Sequence, residues 1–375
     1  SRMMLASVDL HREVTAVWSG TSLAPIFSGI SQHGHAFAAT EMSHFGGGGG
    51  ARTYGDGVDT AGIVFNTTPN MPNIEDQESE YPVLYLFRRH LKDSGGPGLY
   101  RGGRSGELAY TVYDAPEGKL EGLFAGTGAE MPNAIGLVGG FPGSSIRVAQ
   151  VTETDVEKRL SSGVRLPEQL GDIEGKLEIL CCKHEHSVIA LGDVWYHSWQ
   201  GGGGYGDPLE RDPDTVAEDV ARNAVSLSSA ADIYGVVFSG SSNPDLAATH
   251  RRREKIRKAR LDESAGLVTG DATITFFGSG VLEFGGVLNI DFAADKISCG
   301  YCKRTHCKPG DNLLTHLREV NSSLSAAGPI RGEDYDRGRF HLRQLICPEC
   351  GGMVDVEVAF EGAPRSLTKI GIEGT

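Results

Sequence analysis

The residues with the clearest chemistry are cysteines. Cys299-Gly300-Tyr301-Cys302 and Cys347-Pro348-Glu349-Cys350 form two CxxC units with 44 residues between them. Each unit suits a tight turn that aims both thiolates at one ion, and two such turns complete a tetrahedral four-sulfur shell. A shell closed in this way leaves no position for substrate, so the expected metal is a structural zinc. Pro348 and Gly351 suit the second turn, because glycine readily takes positive φ. Cys307, beside His306, leaves a second shell open: Cys302, Cys307, Cys347 and Cys350. The commoner spacing favours the first set, Cys299, Cys302, Cys347 and Cys350. Unligated buried cysteines would not need two knuckles, and a redox pair would call for a helix N-terminus that the sequence does not place there.

Weaker candidates lie in the first half. His44 precedes the run Gly46–Gly50, and Asp56 and Asp59 follow it. Glycines there would let a substrate approach the backbone, and paired carboxylates suit acid–base work or a cation. The plainer reading is that such residues cap turns. His33/His35 and His184/His186 are i, i+2 pairs, spaced to share one face of a strand and chelate zinc, manganese or iron. Exposed or hydrogen-bonded imidazoles are the bland alternative for both. Neither glycine run is followed by Gly-Lys-Ser/Thr, and no Gly-x-Gly-x-x-Gly opens a helix, so this chain alone is not expected to bind ATP. Tyr205 and Asp207 read as turn residues, and Cys181-Cys182 as a packed strand end.

The elements that must position these residues are mostly strands and glycine turns. Val14–Trp18, Tyr81–Phe87, Leu177–Leu180 and Asp193–His197 are β-branched or aromatic runs. Five consecutive glycines cannot sit inside a regular element cheaply. They form a mobile loop, or one packed so tightly that a Cβ would clash. Asp212-Pro213 is an N-cap with proline in the first turn, and a helix is expected to follow it. A second helix is expected over Ala230–Tyr234, stopped by Gly235 ahead of a short strand Val236–Phe238. Ala247–Leu261 reads as a basic helix that could hold a phosphate or an acidic partner, though such a face is usually solvated or turned to another subunit.

Composition bounds the rest. The chain has 375 residues with a formal charge of −14, which argues against a duplex nucleic-acid binder. Its 52 glycines make up about 14% of the residues, twice the usual share. No apolar run approaches the roughly 20 residues of a membrane span. An odd count of seven cysteines in metal spacing fits a reducing compartment, so a soluble, cytoplasmic chain is expected. The opening Ser1-Arg2-Met3-Met4 lacks a signal-peptide pattern and reads as a cloning scar or as a seam in a longer polypeptide.

Taken in order, the glycine and Asp-Pro motifs resemble the C-terminal half of the hydantoinase B/5-oxoprolinase family over residues 1–262. The carrying residues are Gly46–Ala51 with Asp56-Gly57, Asp93–Gly98 with Arg101-Gly102-Gly103, Gly139–Gly143, Gly201–Gly204 with Tyr205–Leu209, and Arg211-Asp212-Pro213. After a linker at 263–270, residues 271–375 resemble the small zinc-bearing gamma subunit of acetone carboxylase, through Ile297–Cys302, Asp311-Asn312 and Ile346–Gly351 followed by Asp355–Glu357. The resemblance implies an α+β, β-rich chain with a few helices and a zinc-ribbon-like end. It implies a subunit, or part of one, of an ATP-dependent ketone carboxylase of the acetone or acetophenone type. ATP would activate bicarbonate and the ketone enolate before the C–C bond forms. An ATP-dependent cyclic amide hydrolase is the alternative, and a zinc-stapled assembly module the non-catalytic one. Implied partners are a hydantoinase A-like ATP-binding subunit and the N-terminal hydantoinase B half. ATP and a divalent ion (manganese, magnesium or zinc) are expected on those partners. The chain is therefore expected to be inactive alone.

Overall fold

In the computed structural model, the described residues are 10–19, 23–41, 46–62, 71–240, 243–269, 273–276, 278–332, 334–335, 338–363 and 369–370. A five-stranded antiparallel sheet has the order Val83–His90, Gly106–Val112, Val194–Ser198, Arg147–Thr152, Lys176–Ile179. A second antiparallel sheet has the order Ala36–Thr40, Leu23–Ile30, Lys119–Gly126, Lys183–Ala190. The strand Gly106–Val112 is buried on both faces. Leu108, Tyr110 and Val112 meet Phe27, Leu120 and Phe124 of the second sheet, while Ala109 turns to Tyr196 and Val156 on the other side. At Gly122 this interior is so full that a Cβ would lie 2.0 Å from the Trp195 ring. The alternation of buried and exposed residues along Lys119–Gly126 follows from that packing.

The glycine runs form a third layer, and it is not a β-ladder. Gly202 donates its N–H to Gly103 O, Gly203 to Val17 O and Gly204 to Phe141 O. Three successive amides thus point at three different segments, the behaviour of an extended chain with about three residues per turn. Gly96 donates in turn to Gly202 O, Gly103 to Gly49 O, and Ala51 to Gly203 O. The five glycines Gly46–Gly50 are all buried, so of the two expectations the tight one holds. Val14–Trp18, expected as a strand, joins this bundle instead, touching a ladder only through the bridge Thr15–Arg52. Its amides at Ala16 and Val17 go to Ala51 O and Ile135 O, and no regular strand partner is left for them.

The helices follow their caps. Asp212 accepts from the amides of Asp214 and Thr215 and starts Pro213–Ala221. Ser226 accepts from Ser229 and starts Leu227–Asp232, and Gly235 at φ 65° ends that segment. The basic helix runs Leu246–Glu263 with Asp245 as its N-cap. Arg251, Lys255 and Lys258 lie on a solvated face as expected from its charge, but Arg257 and Arg260 are buried.

The tail adds an antiparallel meander, Val281–Phe284, Leu288–Asp291, Lys296–Cys299 and Thr305–Cys307, and a three-stranded sheet, Arg318–Ser322, Phe340–Ile346 and Met353–Phe360. Both pack on the glycine layer. Leu282, Ile290 and Ile297 share a core with Val14, Ala51 and Tyr205, and Leu324, Leu342 and Met353 share one with Phe141. Arg331, 0% exposed, pins the two together by donating to the carbonyls of Pro142, Asp93 and Gly95. No helix among the described residues is long and apolar enough to cross a membrane.

Candidate functional site

Two hairpins deliver the cysteines. Cys299 closes the strand Lys296–Cys299, and its carbonyl accepts from the Lys303 amide, which turns the chain back. Gly300 passes so close to the preceding hairpin that a Cβ would sit 2.1 Å from Gly286 O. Cys347 follows the strand Phe340–Ile346, and its carbonyl accepts from the Gly351 amide. Gly351 takes φ 69°, the positive value expected from the sequence, and a Cβ there would meet Arg257 O at 2.4 Å.

The four thiols converge. Cys299 Sγ lies 3.6 Å from Cys350 Sγ, and Cys302 Sγ lies 3.8 Å from Cys347 Sγ. All four sulfurs fall within 4.8 Å of one another. A tetrahedral ion with metal–sulfur bonds of about 2.3 Å separates its ligands by about 3.8 Å, so the donor set and its spacing fit a four-thiolate zinc centre. Hydrogen bonds from Cys347 and Cys350 hold the Cys299 thiol far below its ordinary range, and that sharing pushes the Cys347 thiol up to about 12. Metal binding displaces these protons, so affinity rises with pH. Cys307 lies outside the cluster in the apolar core, where burial pushes its thiol up to about 11.

A clamp ties this centre to the glycine layer. Asp207, 1% exposed, accepts from Arg260 at 2.8 Å and from the Met353 amide at 2.9 Å. Arg260 also donates to Gly351 O at 3.2 Å. One carboxylate therefore joins the second glycine run, the basic helix and the second knuckle. Burial alone would raise the Asp207 carboxyl, but Arg260 outweighs it and the carboxyl lies below its ordinary range.

Asp56 and Asp59 sit in an arginine network. Asp56 takes both terminal nitrogens of Arg211 at 2.7 Å and the Arg101 amide at 2.7 Å. Asp59 takes the Arg104 amide at 2.6 Å and that guanidinium at 2.9 and 2.8 Å. Arg211 continues to Asp219 at 2.7 Å. Burial raises both aspartates, yet hydrogen bonds and charge from Arg211 at Asp56, and from Arg104 and Arg101 at Asp59, bring each below its ordinary range. Carboxylates engaged this way stay ionised near neutrality and position the loop. Stability that rests on depressed carboxyls is present above their unfolded values near pH 4 and is lost as pH falls through the folded ones. Urea midpoints are therefore expected to drop below about pH 4. Asp56→Asn is expected to cost about 3 kcal/mol, through the exposed deficit it leaves on buried Arg211, and to flatten the acid slope. A D56N midpoint equal to wild type at pH 7 would contradict this role.

His44 lies outside the described residues. The described carboxylate nearest to it in sequence, Glu41, is 0% exposed and accepts from the Tyr85 hydroxyl at 3.0 Å, with His197 Nε2 3.5 Å away. Sequence reasoning missed this buried group, since Glu41, Tyr85 and His197 come from three separate segments. His33 and His35 are exposed, and among the described residues the cysteines alone gather three or more metal-type ligands. Cys182 is buried, with its thiol pushed up by burial to about 12, whereas Cys181, also expected to pack inside, is exposed.

The glycine layer and its flanking strands match a known family model, Hydantoinase B/oxoprolinase, over residues 3–208. The chain belongs to the hydantoinase B/oxoprolinase family. Among its relatives, the acetone carboxylase alpha subunit of Xanthobacter autotrophicus is 30% identical over 269 residues, covering 67% of this chain and 34% of the relative. The acetophenone carboxylase delta subunit of Aromatoleum aromaticum is 32% identical over 265 residues, covering 66% and 38%. Caprolactamase subunit beta of Pseudomonas jessenii is 31% identical over 192 residues, covering 48% and 28%. A solved nucleotide-free acetone carboxylase superposes with a TM-score of 0.61 at 29% identity, over 68% of this chain and 35% of that one. The ATP-dependent caprolactamase of Pseudomonas jessenii superposes at 0.55 and 26% identity, over 65% and 39%. The chain thus spans about a third of the length of the curated relatives it matches.

Proposed function

We propose that this chain is part of a subunit of an ATP-dependent ketone carboxylase that adds bicarbonate-derived carbon to a ketone such as acetone or acetophenone. The observation that carries the reading is the reach of the sequence likeness: the two carboxylase subunits align in sequence over about two thirds of the chain, the caprolactamase subunit over 48%, although the two solved structures superpose over similar shares. The four-cysteine cluster in the tail supports it, since a zinc-bearing domain is what the resemblance read in the sequence of residues 271–375 implies. Zinc held by Cys299, Cys302, Cys347 and Cys350 would supply folding energy, with no open position for chemistry.

In this reading the glycine layer is a rigid frame, and Asp56 and Asp59 fix its rim. His44, next to that rim in sequence, is the catalytic candidate of the three, and His44→Ala with unchanged turnover would dismiss it. A hydantoinase A-like subunit would bring ATP, and a hydantoinase B-like N-terminal half would bring the divalent ion. The compartment proposed is the cytoplasm. An ATP-dependent amide hydrolase is the second reading, favoured by the caprolactamase likeness. ATP hydrolysis by the assembled complex separates the two. Dependence on both ketone and bicarbonate is expected, whereas hydrolysis driven by a lactam or hydantoin without bicarbonate would select the amidase.

A further inference from the structure

A cleft of about 290 Å³ opens between the basic helix and the first cysteine knuckle. Its helix wall carries Leu246, His250, Arg253 and Arg257, spaced to fall on one face, and Tyr301 of the knuckle forms the opposite side. Glu210 is the carboxylate among its lining residues.

The charges in this cleft do not balance. Arg257 is 5% exposed, bonds Glu210, and stacks its guanidinium 3.9 Å from the centroid of the Tyr301 ring. Its Nε is buried and has no acceptor among the described residues. Arg253 donates to two neutral carbonyls, those of Tyr234 and Arg211, and to no carboxylate among the described residues. The acids nearby are committed elsewhere: Asp207 to Arg260 and the Met353 amide, Asp212 to the cap of Pro213–Ala221. Glu254 pairs with His250 on the exposed rim. Two guanidiniums thus share one carboxylate in a concave, half-desolvated site. Burial pushes the Arg253 guanidinium down, and repulsion from Arg257 adds to that against the pull of Glu210 and the weaker pulls of Asp207 and Asp212. Uncompensated charge in such a place is costly until an anion joins it, and planar guanidinium forks match oxyanion geometry.

We propose that this cleft binds a small oxyanion, a phosphate or carboxylate group, held by Arg253 and Arg257 with His250 at the mouth and Tyr301 as its wall. The site stands on its own geometry and does not depend on the carboxylase reading.

The test is calorimetric titration and thermal shift of the full metal-loaded chain with inorganic phosphate, with acetate, and with chloride at matched ionic strength. Saturable binding of phosphate, acetate or both beyond the chloride control is expected, and the pattern names the group. His250→Glu places a carboxylate at the mouth of the cleft on a side chain that is 64% exposed, so the fold is not at risk. Arg253→Gln removes a charged donor while keeping a polar side chain. Each is expected to weaken binding about tenfold or more, the first through like-charge repulsion and the second through the loss of one charge-assisted hydrogen bond. Binding no stronger than chloride, or binding undiminished in H250E with near-ultraviolet circular dichroism intact, would overturn the proposal.

Discussion

Gly202→Ala is expected to yield no folded protein. A Cβ at position 202 would lie 1.9 Å from Gly49 O, a backbone atom that is already the acceptor for Gly103 N–H. The obstacle cannot rotate away as a side chain would. Relief would require moving a segment whose own amides are hydrogen-bonded to several neighbours. Gly103→Ala meets Val58 O at 2.0 Å and should fail in the same way. The expected cost exceeds about 5 kcal/mol, enough to consume the stability of a typical domain. Gly310→Ala is the control, because nothing lies within 4 Å of the added atom. Soluble yield and thermal melting read the outcome. A G202A protein melting within a few degrees of wild type would show that the glycine layer is looser than its hydrogen bonds indicate.

Cys347→Ser is expected to strip the tail of its metal and unfold it. Cys347 is 0% exposed and shares the cluster with Cys302 at 3.8 Å. Metal binding at four-thiolate sites contributes about 10–16 kcal/mol to folding in small domains, so loss of one ligand removes a large share. Bound zinc should fall from one per chain to nearly none, and the melting transition should broaden or split. Disruption should spread along the clamp, because Asp207 holds the Met353 amide just beyond the second knuckle. Cys307→Ser separates the two shells that the spacing allows. It should keep its zinc, with only a modest loss of stability from the core. Zinc lost by C307S, or retained by C347S, would show that the ligands are wrongly assigned here.

Local chemistry was legible in the sequence and long-range pairing was not. Asp212-Pro213 announces a helix start because cap and first turn lie within four residues, and Gly351 announces a turn for the same reason. The two CxxC units are likewise local devices, and the fold had only to bring them together. Val14–Trp18 looks like a strand because β-branched residues suit any extended backbone, and nothing in those five residues says that their partners, Ala51, Ile135 and Gly203, lie in a glycine-rich bundle and not in a sheet. Asp56 and Arg211 are 155 residues apart, so no spacing could have linked them. The basic helix misled for a related reason. Two of its three buried residues are arginines matched to Asp207 and Glu210, and a pattern read from apolar residues is blind to burial by ion pair.

The most direct measurement is the fate of labelled bicarbonate. The complex assembled from this chain and its companion subunits is incubated with ATP, carbon-labelled bicarbonate and either acetone or acetophenone. Acid-stable label in a carboxylated ketone, formed only when ATP and ketone are both present, is the predicted result. Opening of a lactam or hydantoin ring with ATP consumed and no label fixed would contradict the account.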